Sequence, residues 1–135
     1  MTTKLEKAPR VGCGALIERS DNRILLVKRL RNPEAGCWGF PGGKVDFGET
    51  VEDAICREIK EELGVSLTLN GLAHLVNFID LKEGQHWLAP VYKATISNGT
   101  PSIMEPDALS ELAWYALDEL PDNLTEATRQ TLTKG

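Results

Sequence analysis

Residues 39–65, GFPGGKVDFGETVEDAICREIKEELGV, bring Glu58, Glu61 and Glu62 close together in sequence, downstream of the glycine pair Gly42 and Gly43. On a helix advancing about 100° per residue, Glu62 lies about 40° to one side of Glu58 and Glu61 about 60° to the other, so the three share one patch. Val51, Ile55, Ile59 and Leu63 form an apolar stripe bordering that patch, while Asp53, Arg57, Lys60 and Gly64 take the solvent side. Glu52 falls near the stripe, which an exposed first turn accommodates. Two carboxylates roughly 6 Å apart repel by roughly 3 kcal/mol at an effective dielectric of about 20. A partly buried trio should therefore take up protons or bind a hard divalent cation through oxygen. Mg²⁺ characteristically combines few carboxylates with substrate phosphates. The competing reading of the same residues is a solvated helix with ordinary i,i+4 pairs.

The elements that must position this patch can be read from the flanking sequence. Thr50 is a good N-cap with Asp53 three residues on, and Gly64 is a stop signal, so the helix should cover Val51 to Leu63. Val11 to Glu18 and Ile24 to Arg29 read as strands joined by the turn-like SDN, and CWGF as a short strand. Pro41, Gly42 and Gly43 are expected to break any regular element. Further strands are expected near Leu72 to Leu81, Trp87 to Ile96 and Leu112 to Leu117, with a turn from Ser97 and a loop, EPDALSE, from Glu105. The tail should close in a helix with Leu124, Ala127, Thr128 and Leu132 on one side. The sum is a mixed sheet with helices packed against it.

Composition bounds what such a chain can do. At 135 residues it is expected to form one domain, residues 1–135, able to bury a core without disulfides. Its three cysteines, Cys13, Cys37 and Cys56, are widely spaced and form no CxxC pair, which fits a reducing, cytoplasmic setting better than a zinc site. The N-terminal MTTKLEKAPR has no apolar core of a signal peptide, and no apolar run approaches the ~18 residues of a membrane span. A formal net charge of −5 without basic runs argues against duplex nucleic acid as a partner. It leaves room for a small anionic ligand, because a metal ion reverses the local field.

The stretch from Gly43 to Val65 resembles the Nudix box, GX5EX7REUXEEXGU with U aliphatic. Gly43, Glu49, Arg57, Glu58, Ile59, Glu61, Glu62, Gly64 and Val65 match every fixed position. The flanking WGFPGGKVDFGE is similar to MutT-like members, and SELAWYALDELP to their C-terminal strand and turn. The resemblance implies an α/β/α sandwich around a mixed β-sheet, with the catalytic helix following a glycine-rich loop. It also implies hydrolysis of a nucleoside diphosphate linked to another moiety, with Mg²⁺ as cofactor and Mn²⁺ as a substitute. Carried over by position, Glu58, Glu61 and Glu62 resemble metal ligands, with Glu58 also a candidate for activating water. The Gly42 carbonyl resembles a backbone metal ligand. Glu49 and Arg57 resemble a supporting pair that holds loop and helix in register.

Beyond the box, Lys44 is a candidate phosphate contact or a solvated lysine. Trp38 and Phe40 could stack on a base, although core packing is the favoured role. A further acidic ligand or base is sought among Glu105, Asp107 and Glu111, each otherwise simply solvated. His74 and His86 read as sheet residues. The MutT-like flank makes a (deoxy)nucleoside triphosphate the leading substrate, released as monophosphate plus pyrophosphate. The alternative is an ADP-ribose or nucleotide-sugar pyrophosphatase. A different class, a non-catalytic nucleotide- or protein-binding module, should have lost box glutamates, and here all are present. The partners expected are a small-molecule nucleotide, with no nucleic acid and no membrane, for a monomer or homodimer.

Overall fold

A computed structural model describes residues 8–134 of the chain. The N-terminal segment read above as lacking a signal-peptide core lies, over residues 1–7, outside the described residues. The elements run β1 (Arg10–Ile17), β2 (Arg23–Arg29), β3 (Trp38–Gly39), β4 (Gly42–Lys44), α1 (Val51–Leu63), β5 (Ser66–Asp80), β6 (Gln85–Asn98), β7 (Leu109–Ala116) and α2 (Glu126–Lys134). They form two sheets: a four-stranded one ordered β4-β1-β6-β5 and a three-stranded one ordered β3-β2-β7. The first is mixed, because β1 runs parallel to β6 and antiparallel to β4. The single mixed sheet expected from the sequence is thus split in two. No helix among the described residues is long and apolar enough to cross a membrane.

Alternation along the strands separates two apolar layers. Cys13, Ala15, Ile17, Leu25 and Val27 pack with Ala54, Ile55, Ile59 and Leu63 of α1. Leu16, Ile24, Leu26, Val76 and Val91 pack instead with Leu124, Ala127 and Leu132 at the other helix. The result is an α/β/α sandwich. β1 is buried on both sides from Gly12 to Ile17, as a strand covered on both faces must be. The ends of α1 follow from its caps: Thr50 Oγ1 accepts from the Asp53 N–H, and Gly64 takes the left-handed conformation at φ 72°.

Three sequence expectations need correction. Gly42–Lys44 does not break regular structure but forms β4, paired to β1 with Gly14 opposite Gly42 and Gly12 opposite Lys44. Neither Gly42 nor Gly43 has a positive φ, so their value is closeness and not conformational freedom. A Cβ at Gly42 would collide with the Cys13 carbonyl, and one at Gly43 with the Glu58 carboxylate. Next, β5 begins at Ser66 and not at Leu72, because Asn70 and Gly71 (φ 113°) lie within a register shift between Leu69 and Leu72 instead of ending the strand. Finally, the loop from Glu105 ends at Ala108, and Leu109 already pairs with Arg29.

Replacing Gly42 with Ala should lower the unfolding free energy by roughly 1–3 kcal/mol, the cost of overpacking against a backbone that cannot move aside. Equilibrium denaturation measures it. A wild-type midpoint would mean that β4 does not approach β1 this closely.

Candidate active site

Helix α1 places Glu58 and Glu62 four residues apart on one face, and β4 lies alongside. In a strand, the N–H groups of alternate residues point to the same edge. Two of them meet the helix: the Gly42 N–H donates to Glu62 Oε1 at 3.1 Å, and the Lys44 N–H to Glu58 Oε2 at 3.2 Å. Gly43 stands between these donors, and its missing Cβ is the space the Glu58 carboxylate fills. The two carboxylates are therefore drawn against backbone and away from water.

Burial has an electrostatic consequence. Desolvation pushes Glu62 up to about 8, reinforced by the charges of Glu58 and Glu105 and only partly opposed by the Gly42 N–H and Arg29. Glu58 is raised as well, chiefly by burial, against the Lys44 N–H and the Arg57 charge. Glu61 differs from both. Its side chain is 49% exposed against 15% for Glu58, and it contacts Arg57 Nη1 at 3.3 Å. No three acidic, histidine or cysteine side chains among the described residues converge on one point. The patch is thus a tight pair, Glu58 and Glu62, with Glu61 on its outer flank.

Arg57 was assigned to the solvent side, and here the structure differs. Its guanidinium is partly buried because Glu49 grips it with both oxygens, Nε to Oε2 at 2.6 Å and Nη2 to Oε1 at 2.9 Å. Nη2 also donates to the Lys44 carbonyl at 3.1 Å. Glu49 Oε1 in turn accepts the Asp46 N–H at 2.9 Å. Arg57 thereby ties helix, strand and connecting loop together. The hydrogen bond from Arg57 holds Glu49 down at about 2. That loop-to-helix bridge is the one the resemblance to the Nudix box implies.

Glu58 and Glu62 border a cleft of about 500 Å³. Gly42, Gly43, Lys44, Arg29, Arg31 and Glu105 line it with them, together with Gly12, Cys13, Ala89, Phe78 and Trp87. Of the candidates beyond the box, Lys44 and Glu105 line the cleft. Asp107 is instead paired with Arg31 at 2.7 Å, and Glu111 with Lys28 at 3.7 Å. Trp38 is buried edge-on against Tyr115, with ring centres 5.3 Å apart, and does not line the cleft. Phe40 borders only a smaller inner recess. Trp38 thus takes the core role favoured for it, and the aromatics lining the cleft are Phe78 and Trp87. They escaped the sequence reading because only the β5–β6 register, which sets Phe78 opposite Trp87, brings them together.

The donors suit a hard divalent cation. They are oxygens only, two of them carboxylates whose charge burial penalises, and they sit beside cations that could meet phosphate oxygens. Glu58, Glu62 and the Gly42 carbonyl could hold such an ion, with Glu61 joining by side-chain rotation.

The Glu62 shift fixes a pH dependence. Its folded value, about 8, lies above the ordinary 4.5, so the folded state holds the proton more tightly. Stability from this group is complete below about 4.5 and is lost as pH rises through about 8. In chelator, Glu62→Gln should match wild type near pH 5 and exceed it increasingly toward pH 9, read from denaturant midpoints. Parallel curves would contradict the assignment.

The comparisons with known proteins agree with this geometry. The chain is 37% identical over 113 residues to an ADP-ribose pyrophosphatase from Methanocaldococcus jannaschii, covering 84% of this chain and 65% of that protein. It spans about two thirds or less of the length of the first curated relatives it matches. The crystal structure of a MutT NUDIX hydrolase from Burkholderia pseudomallei superposes with a TM-score of 0.90 at 57% identity, covering 93% of this chain and 97% of that one. A MutT protein from Methanosarcina mazei Go1 gives 0.81 at 25% identity, over 93% and 92% of the two chains. The family profile described as NUDIX domain matches residues 8–134, essentially the whole described fold, and the chain belongs to the Nudix family.

Proposed function

We propose that residues 1–135 form one Nudix hydrolase domain that cleaves a phosphoric anhydride bond in a nucleoside diphosphate linked to another moiety. The leading substrate is a (deoxy)nucleoside triphosphate, released as monophosphate plus pyrophosphate. The observation that carries this reading is the Glu58–Glu62 pair, held by the Gly42 and Lys44 N–H groups in a cleft that Arg29, Arg31 and Lys44 also line. Likeness to a Mus musculus protein named oxidized purine nucleoside triphosphate hydrolase, 35% identical over 100 residues, supports the triphosphate. The relative named ADP-ribose pyrophosphatase supports the second reading, an ADP-ribose or nucleotide-sugar pyrophosphatase. Three free cysteines suit action in a reducing cytoplasm.

In this reading Glu58, Glu61, Glu62 and the Gly42 carbonyl hold Mg²⁺, with Mn²⁺ as a substitute. When bound, the cation screens the phosphates and lowers the pKa of the attacking water. Arg31 and Lys44, which also line the cleft, offset phosphate charge, Arg31 through its planar fork and Lys44 as a point charge. Glu58 takes the proton of the attacking water. The water oxygen bonds to phosphorus as the phosphorus–oxygen anhydride bond breaks, and the leaving group, monophosphate or pyrophosphate according to the phosphorus attacked, departs as the anion. Glu49 and Arg57 do not touch the reacting atoms and are positioning residues, keeping β4 against α1. Glu105 lies where it could hold a further water or ion.

A panel of nucleoside triphosphates, ADP-ribose and nucleotide sugars, with products separated by chromatography, tests the reaction class. Turnover should require Mg²⁺ or Mn²⁺ and vanish in excess EDTA. Full turnover in EDTA would remove the metal from the account, and no turnover of any nucleotide would favour the binding module.

The Arg57–Glu49 contact makes a separate prediction. Arg57→Lys keeps the charge but loses the bidentate fork, so kcat should fall by about tenfold or more with a smaller change in KM. Glu49→Gln should act likewise, and the double variant should lose less than the sum. Strictly additive losses in activation free energy would show that the two residues act separately.

A further inference from the structure

Off the cleft opens a recess of about 120 Å³ that shares Cys13, Arg29, Glu34, Ala89 and Ala127 with it. Its walls are small or apolar, and its polar groups are unevenly used. Glu34 Oε2 accepts the N–H of Glu126, the first residue of α2, at 2.8 Å, and Oε1 has no hydrogen-bond partner among the described residues. Arg29 spends its Nε on the Pro33 carbonyl at 2.8 Å, and its terminal N–H groups likewise have no protein partner among the described residues. Glu34 is held in the left-handed region at φ 64°, uncommon for a residue with a side chain. The loop keeps it there: Asn123 Nδ2 donates to the Gly36 carbonyl at 2.7 Å, and the Gly36 N–H to the Arg29 carbonyl at 2.7 Å. A carboxylate acceptor and a guanidinium donor thus share one small pocket whose other walls are mainly apolar, the Thr125 hydroxyl being paired with Thr128, the pattern of a site that orients a flat polar ligand.

We propose that this recess receives the nucleobase of the substrate and that Glu34 selects bases carrying an amino group. The inference rests on the nucleotide reading above and deepens it. A carboxylate only accepts hydrogen bonds, so the base edge facing it must donate. Cytosine and adenine present an exocyclic amino group, whereas uracil presents a carbonyl at the corresponding position, whose lone pairs the carboxylate repels. Arg29 then serves the adjacent ring nitrogen or carbonyl acceptor. Glu34 acts on which base is bound, not on the bond that breaks.

The substitution Glu34→Gln inverts the recognising group. The α2 N–H requires an oxygen, so the amide oxygen stays at Glu126 and the NH₂ turns into the recess as a donor. Dissociation constants for CMP, UMP, AMP and IMP, measured by calorimetry, read the base without any turnover. Wild type should bind CMP over UMP and AMP over IMP, by about tenfold or more in at least one pair. The variant should lose or reverse that preference. Equal binding within both pairs in the wild type overturns the proposal without need of a variant, as does a preference that survives Glu34→Gln. Failure to bind any of the four would remove the nucleotide reading, and this inference with it.

Discussion

Two backbone N–H groups of a three-residue strand hold two carboxylates of a neighbouring helix, and most of the local architecture exists to permit that contact. Gly42 and Lys44 reach Glu62 and Glu58 only because β4 lies flush against β1 on one edge and against α1 on the other. Flush packing requires glycine at 42 and 43. It also requires α1 to be fixed in rotation, which burial of Ile55, Ile59 and Leu63 accomplishes. Arg57 closes the arrangement by binding the Lys44 carbonyl and Glu49 together.

Magnitudes decide the charge state of this contact. A hydrogen bond to a charged group contributes about 1.5–3 kcal/mol, and each buried carboxylate receives one from the strand. Repulsion between two carboxylates at this spacing takes back roughly as much, and desolvation adds a further cost. The Arg57 charge lies near Glu58, at 3.4 Å, and counts among the influences lowering its pKa. Glu62 has only the weaker help of Arg29 and meets the further repulsion of Glu105. Glu62 therefore resolves the imbalance by holding a proton up to about pH 8. In the proposed reading a cation bound by Glu58 and Glu62 would compete with that proton, so affinity for metal and for protons would be two faces of one site.

Legibility from the sequence followed the range of the interactions involved. The helix over Val51–Leu63, its caps and its buried stripe depend on neighbours a few residues away, and periodicity revealed them. The family resemblance carried the α/β/α architecture, which the described fold matches. β4 was misread because glycine and proline signal breaks locally, whereas Gly42 and Gly43 answer to a strand and a helix distant in sequence. Phe78 and Trp87 meet through β5–β6 register, and Glu34 enters its recess through a loop fastened to α2. Neither placement leaves a trace in composition or spacing. Angular projection alone leaves Arg57 on the solvent side because it ignores the reach of a long side chain, and the family resemblance supplies the Glu49 contact.

The central claim is that burial keeps Glu62 protonated until a divalent cation replaces the proton. Titrating the metal-free protein with Mg²⁺ by calorimetry, in buffers of different ionisation enthalpy, counts the protons released. The account predicts release of about one proton per cation bound near pH 7, declining toward zero above about pH 9. Binding at neutral pH without proton release would mean that Glu62 is already ionised, and the arrangement of β4 against α1 would need another explanation.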